Sequence, residues 1–259
     1  MKRREAPIAV IDSGVGGISV LAELVRVMPY ENFIYFGDSA NAPYGTKTRD
    51  RVREITLENT ERLLEMGVKA IVVACNTATS AAVRVMREKY PEIPIVGIEP
   101  AIKPALEVCE HPTVAVMATP LTLAEEKFLK LKERFSADED VIALPCPGLM
   151  ELIEAGHTEG ELINAYIRDV FAPLEGKRID AIVLGCTHYP FIKEAVRAYF
   201  GGTAAVLDGG AGTAREAKRR ITEAGLENLG TGLGTVRYIS TDGDESKTEL
   251  YKRFMKEYR

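Results

Sequence analysis

Ala70 to Thr79 reads AIVVACNTAT, and Ala181 to Pro190 reads AIVLGCTHYP. Each stretch is a short β-branched apolar run, a pattern for a buried strand, closed by a small residue and a cysteine. Hydroxyl and amide side chains suited to capping a helix follow the cysteine in both. The chain thus presents the same thiol twice, at the carboxyl end of a strand. Ligands of open α/β sheets bind at that edge, and a helix N-terminus facing a thiol favours its thiolate.

Outward from these stretches, strand-like and helix-like segments alternate. The first series predicts strands over Pro7–Asp12, Asn32–Phe36, Ala70–Ala74 and Ile95–Ile98, with helices over Ile18–Met28, Asp50–Met66 and Ser80–Tyr90 between them. A second series predicts strands over Thr113–Met117, Val141–Leu144 and Ala181–Leu184, with helices over Leu123–Phe135 and Glu159–Phe171. The closing segment reads as a strand over Ala204–Leu207, a helix over Thr213–Ala224, a strand over Val236–Ser240 and a helix over Ser246–Tyr258. A βα alternation implies mainly parallel sheets covered by helices. Pro100, Pro104 and the GGTAAVLDGG stretch are the hinges, so the closing segment is expected to fold back on the first domain. The expected domains are 1–98 with 208–259, and 99–207.

Composition narrows the function. The 259 residues carry 33 Lys and Arg against 38 Asp and Glu, a net charge of −5, which argues against nucleic acid and anionic membranes as partners. No run of about 18 apolar residues exists to span a bilayer. The four cysteines, Cys75, Cys109, Cys146 and Cys186, are too few and too scattered for a disulfide scaffold or a metal knuckle, which fits a cytoplasmic setting. Three histidines without an HxxxH pattern make no metal set.

Other segments carry chemistry. IDSGVGGIS, Ile11–Ser19, joins a strand to a helix through glycines that allow backbone amides to approach an anion. It is neither a dinucleotide fingerprint nor a Walker loop, so a carboxylate is the natural ligand. GDSANAPYGTKT, Gly37–Thr48, is a polar loop in which Pro43, Tyr44 and Gly45 set a rigid backbone beside a hydroxyl. His188 follows Cys186 by two residues and is placed to polarise or protonate a neighbour. Cys146 reads as a packing or lining residue and Cys109 as a helix-end filler, while His111 and His157 read as inert surface groups.

The combination IDSGVGG, GDSANAPYG, ACNTAT, CPGLMELIEAG and GCTHYP resembles the glutamate racemases of the cofactor-independent amino-acid racemase superfamily, over most of the chain. The resemblance implies two αβα domains related by pseudo-twofold symmetry, with the active site in the interdomain cleft and no cofactor or metal. It implies that Cys75 deprotonates D-glutamate and Cys186 deprotonates L-glutamate, with Asp12 assisting the first thiol and Glu154 and His188 the second. Substrate-holding positions would be Asp12, Ser13, Pro43, Tyr44, Gly45, Asn76, Thr77, Thr119, Thr187 and His188. Where many relatives read T-x-G-T, this chain has Thr119, Pro120, Leu121 and Thr122. The implied role is supply of D-glutamate for peptidoglycan, by a protein whose partner is the small-molecule substrate and which could act as a homodimer.

Two thiols also make sense without the family. Inverting a stereocentre by proton transfer needs a base on one face of the Cα carbanion and an acid on the other. A pyridoxal mechanism would need a Schiff-base lysine, and none lies in these segments. Three other readings stay open: an aspartate racemase or other member of the superfamily, a thiol redox protein joining Cys75 to Cys186, and a non-enzymatic amino-acid-binding module.

Overall fold

The computed structural model describes residues 3–124 and 141–258. The chain divides into two compact units, Met1–Glu99 with Gly210–Arg259, and Pro100–Gly209. Each is built on one parallel sheet.

In the first unit, β1 (Ile8–Asp12), β2 (Phe33–Gly37), β3 (Ala70–Val73), β4 (Ile95–Gly97) and β9 (Val236–Ser240) lie in the order β4-β3-β1-β2-β9. All neighbours are parallel. The strands β1, β2 and β3 are buried along their whole length, as expected where helices cover both faces. Ala9, Ile11, Ile34, Phe36, Ile71 and Val73 form one cluster with Val52, Ile55 and Leu63 of α2 (Arg49–Glu65) and Ala78, Ala82 and Met86 of α3 (Asn76–Lys89). The helix α1 (Ile18–Val27) packs instead on the helices Gly210–Glu223 and Glu245–Glu257.

In the second unit, β5 (Val114–Ala118), β6 (Val141–Pro145), β7 (Ala181–Leu184) and β8 (Ala205–Asp208) lie in the order β6-β5-β7-β8. All are again parallel. Numbered within its own series, each sheet has the strand order 4-3-1-2, and β9 is an addition to the first. Each chain path runs from its first strand outward on one side and returns to the other, so a switch point opens between the first and third strands. The crevice outside the carboxyl ends there is where α/β sheets take ligands. The pairs flanking it are β1 with β3, and β5 with β7.

Several elements differ from the sequence reading. The helix expected from Ser80 starts at Asn76, because Cys75 itself occupies the capping position. Of the helix expected over Leu123–Phe135 only Leu123 and Ala124 are described, within a short helix over Pro120–Ala124; 125–135 lie outside the described residues. Short helices over Ile102–Ala105, Leu149–Glu154 and Lys193–Tyr199 had no distinct signal, being too brief to show a helical period. Cys109 does not fill a helix end; it is exposed in a loop, with Arg178 Nη2 4.0 Å from its sulfur.

Among the described residues no helix is long and apolar enough to cross a membrane.

Candidate active site

The first half-site sits at the switch point between β1 and β3. Asp12 ends β1 and is almost fully buried. Its Oδ1 accepts from the Gly14 N–H at 3.0 Å, which curls the glycine turn around the carboxylate. Gly17 allows α1 to come close: a Cβ there would stand 2.6 Å from the Asp12 Cβ and 3.1 Å from that of Ala74.

Cys75 follows β3 as the N-cap of α3. Its thiol is buried and in no disulfide, and its sulfur accepts from the Ala78 N–H at 3.5 Å. An N–H donor and the positive end of a three-to-four-turn helix both favour negative charge on that sulfur. Asn76 is buried and its side-chain Oδ1 has no hydrogen-bond partner. A buried amide oxygen left bare is costly, which makes it a candidate acceptor for a ligand's donor group. Ser13 and Thr77 are buried beside these residues in sequence.

The loop after β2 completes this half. Tyr44 lies in the same buried cluster as Cys75, and its phenol donates to Asp38 Oδ2 at 2.5 Å. Burial first, and then the charge of Asp38, push the Tyr44 pKa far up, so the phenol stays a donor. Asp38 is fully buried and also accepts from Asn41 and Asn59 side-chain nitrogens, at 3.1 and 2.9 Å, and from Thr241 Oγ1 at 2.6 Å. Pro43 and Gly45 flank Tyr44, partly exposed. Sequence reasoning passed over Asp38, although an aspartate opening a loop with a tyrosine six residues on was the available signal.

The second half-site sits at the switch point between β5 and β7. Gly185 bridges β7 to Cys186, and its N–H donates to the Met117 carbonyl at 2.7 Å. In the first half the Ala74 N–H donates to the Ile11 carbonyl at 2.8 Å, the equivalent bond. Cys186 is nonetheless not placed at the end of an α-helix as Cys75 is. Bonds from the Tyr189 N–H to the Cys186 carbonyl and from the Phe191 N–H to the His188 carbonyl wind the chain into a 3₁₀ turn over Tyr189–Ile192. The expectation of two equivalent helix-capped thiols is corrected here. The Tyr189 N–H, three residues after the cysteine as Ala78 is, goes to the Cys186 carbonyl, and the thiol has a different electrostatic partner.

That partner is His188, almost fully buried, with Nδ1 3.7 Å from Cys186 Sγ and Nε2 2.8 Å from Glu154 Oε1. Burial opposes the imidazolium, but the bonds to Cys186 and Glu154 and their negative charges outweigh it, holding the His188 pKa well above 6.5. Glu154 comes from the short helix Leu149–Glu154. Thr187 is buried between the thiol and the imidazole in sequence.

Thr119 follows β5. Its hydroxyl accepts from the Thr122 N–H at 3.3 Å and pairs with the Thr122 hydroxyl at 2.9 Å. The Thr-Pro-Leu-Thr departure therefore starts a helix, with Thr119 as its cap and Pro120 at the first position, where a missing N–H costs nothing. Cys146 lies near Cys186, buried, with its thiol donating to the Leu144 carbonyl at 3.3 Å. Burial, with the neighbouring Cys186 charge, pushes the Cys146 pKa up to about 12, which disfavours its thiolate. His111 and His157 are exposed.

Among the described residues no cluster of three or more His, Cys, Asp or Glu side chains is arranged to hold a metal ion. The buried lysine, Lys69, stands at the opposite end of β3 from Cys75 and is bonded to Glu31 and to the Arg4 carbonyl.

Residues 8–217 match the model of the Asp/Glu/Hydantoin racemase family. A glutamate racemase of Clostridium acetobutylicum is 48% identical over 98% of this chain and 99% of its own length. The solved glutamate racemase of Thermus thermophilus in complex with beta-chloro-D-alanine is 36% identical, with a TM-score of 0.81 over 97% of this chain and 93% of that one. That of Francisella tularensis in complex with D-glutamate is 29% identical, with a TM-score of 0.85 over 98% and 94%. The family match across most of the chain, with identity this high over nearly its full length, shows that the chain belongs to the Asp/Glu/hydantoin racemases, among the glutamate racemases.

Proposed function

We propose that this protein interconverts L- and D-glutamate by a two-thiol proton transfer, with Cys75 and Cys186 serving opposite faces of one substrate Cα. The observation that carries the reading is the repeated placement of a cysteine outside any disulfide at the carboxyl end of the third strand of two sheets with the same strand order. Relatives solved with D-glutamate and with L-glutamate support the substrate.

In this reading Cys75 removes the Cα proton of D-glutamate while Cys186 delivers a proton to the other face, and the roles exchange for L-glutamate. The two directions draw on different physics. The Cys75 thiolate is supported by the Ala78 N–H and the α3 dipole, the Cys186 thiolate by the imidazolium that Glu154 sustains. Asn76 Oδ1 accepts from the substrate ammonium. Hydroxyls and N–H groups of the turns at Ser13, Thr77, Thr119 and Thr187 take the carboxylates, which matters most for the α-carboxylate as negative charge develops on it. Supply of D-glutamate for peptidoglycan is the corresponding cellular role.

Circular dichroism of purified protein with L- or D-glutamate and no added cofactor tests this. Both solutions should lose their signal and converge. Glutamate that keeps its optical activity, or faster turnover of aspartate, overturns the reading.

A further inference from the structure

We propose that Thr241, at the end of the added strand β9, is a positioning residue for the substrate loop that carries Pro43, Tyr44 and Gly45; this rests on the loop holding glutamate as read above.

Four donors converge on the buried Asp38 carboxylate. Tyr44, Asn41 and Asn59 come from the loop itself or from α2 just after it. The fourth, Thr241, lies 203 residues away in sequence. Its hydroxyl gives its proton to Asp38 Oδ1 at 2.6 Å and accepts from the Ala40 N–H at 3.1 Å, so one oxygen grips the loop at both its carboxylate and its backbone. The Thr241 N–H adds a bond to the Gly37 carbonyl at 3.1 Å.

A second tie runs parallel to the first. Tyr251, fully buried, places its phenol oxygen 2.7 Å from Ser39 Oγ and donates to Ser240 Oγ at 3.3 Å. Gly37 makes room for it, since a Cβ there would fall 2.2 Å from that oxygen. Among the described residues, β9 is the one strand of the first sheet without a counterpart in the second. Its register against β2 brings Ser240 opposite Gly37, which sets Thr241 over the start of the loop. The loop is thereby ordered before substrate arrives, and a bond to a carboxylate is worth more than a neutral one.

The test compares Thr241→Val, which keeps the shape and removes the hydroxyl, with Thr241→Ser, which restores it. Thr241→Val should raise KM for both enantiomers about tenfold with kcat within about threefold, and Thr241→Ser should stay within about twofold of wild type in both. Amide hydrogen exchange over residues 38–46 should quicken in Thr241→Val alone. Should Thr241→Val fold poorly, Tyr251→Phe provides the same KM reading through the second tie. A wild-type protein that racemises glutamate while Thr241→Val matches it in KM and exchange overturns this inference alone. Equal effects of Val and Ser do so as well. A wild-type protein without racemase activity overturns the functional reading instead, and the exchange comparison still reads the loop.

Discussion

Glu154 accepts a 2.8 Å bond from His188 Nε2, and it does so from the end of the helix Leu149–Glu154, 34 positions earlier in the chain. The opposite ring nitrogen faces Cys186, so the carboxylate acts on the thiol through the imidazole.

Replacing Glu154 by Gln keeps a hydrogen-bond partner and removes the charge. The raised His188 pKa should fall, and the alkaline limb of the rate profile in the direction where Cys186 is the base should move to lower pH. His188→Asn should lose about 10²- to 10⁴-fold in the same direction. The sign for stability follows from the raised value: the charged bond network contributes fully below pH 6.5 and loses its contribution as pH rises through the folded pKa. Rate profiles of both variants from pH 5 to 10 check this, and an unmoved limb in Glu154→Gln rules out the relay.

Removing either site thiol should end racemisation, because neither face has a second proton carrier. Cys75→Ala and Cys186→Ala should each fall by more than about 10³-fold, while Cys109→Ala keeps near-full activity. Cys146, with a pKa pushed up to about 12, should resist alkylation at pH 8 while Cys186 reacts. Mass spectrometry after a timed iodoacetamide exposure gives the order of labelling.

The two half-sites should differ in their tolerance at the residue before the thiol. Gly185→Ala would bring a Cβ 2.7 Å from the Met117 carbonyl oxygen and 3.1 Å from the Ala118 Cβ. Backbone must yield there, at about 1–3 kcal/mol, and Cys186 moves with it. The equivalent first-half position already holds Ala74, so Ala74→Gly should cost about 1 kcal/mol with a smaller effect on rate. Urea midpoints and kcat for the pair test the contrast.

Lys69 and Glu31 form an ion pair buried at both ends, with Glu31 Oε1 also accepting from the Asn228 N–H at 2.8 Å. Lys69→Met leaves the Glu31 charge without its cation and should cost about 3–5 kcal/mol. The pair is at the amino end of β3, away from the switch point, so KM of the folded variant should be unchanged. Denaturation midpoints with steady-state kinetics below the transition separate the two effects.

Turnover in D₂O should place deuterium at Cα of the product faster than in recovered substrate, since the product's proton arrives from a thiol that has exchanged with solvent. Equal early labelling of both enantiomers, read by mass spectrometry after chiral separation, would mean one base serves both faces.

Strand identity and the two thiols were readable from the sequence because a β-branched run ending in a small residue and a cysteine is a local pattern, and local patterns survive into the fold. Ala181–Leu184 and Val236–Ser240 fall where their composition put them. Helix starts were less legible: α3 begins four residues before Ser80, because a cysteine is an unusual cap and no propensity flags it. What the sequence alone could not reveal was which groups act on each sulfur. The two motifs look alike, yet one thiol takes an N–H at a helix N-terminus and the other an imidazole backed by Glu154, a difference set by a 3₁₀ turn and a residue from a separate helix. The bond from Thr241 to Asp38 was equally hidden, since it joins residues 203 positions apart. Pairings of that kind are made by strand order and register, which bring distant residues together in three dimensions and leave no periodicity along the chain to read.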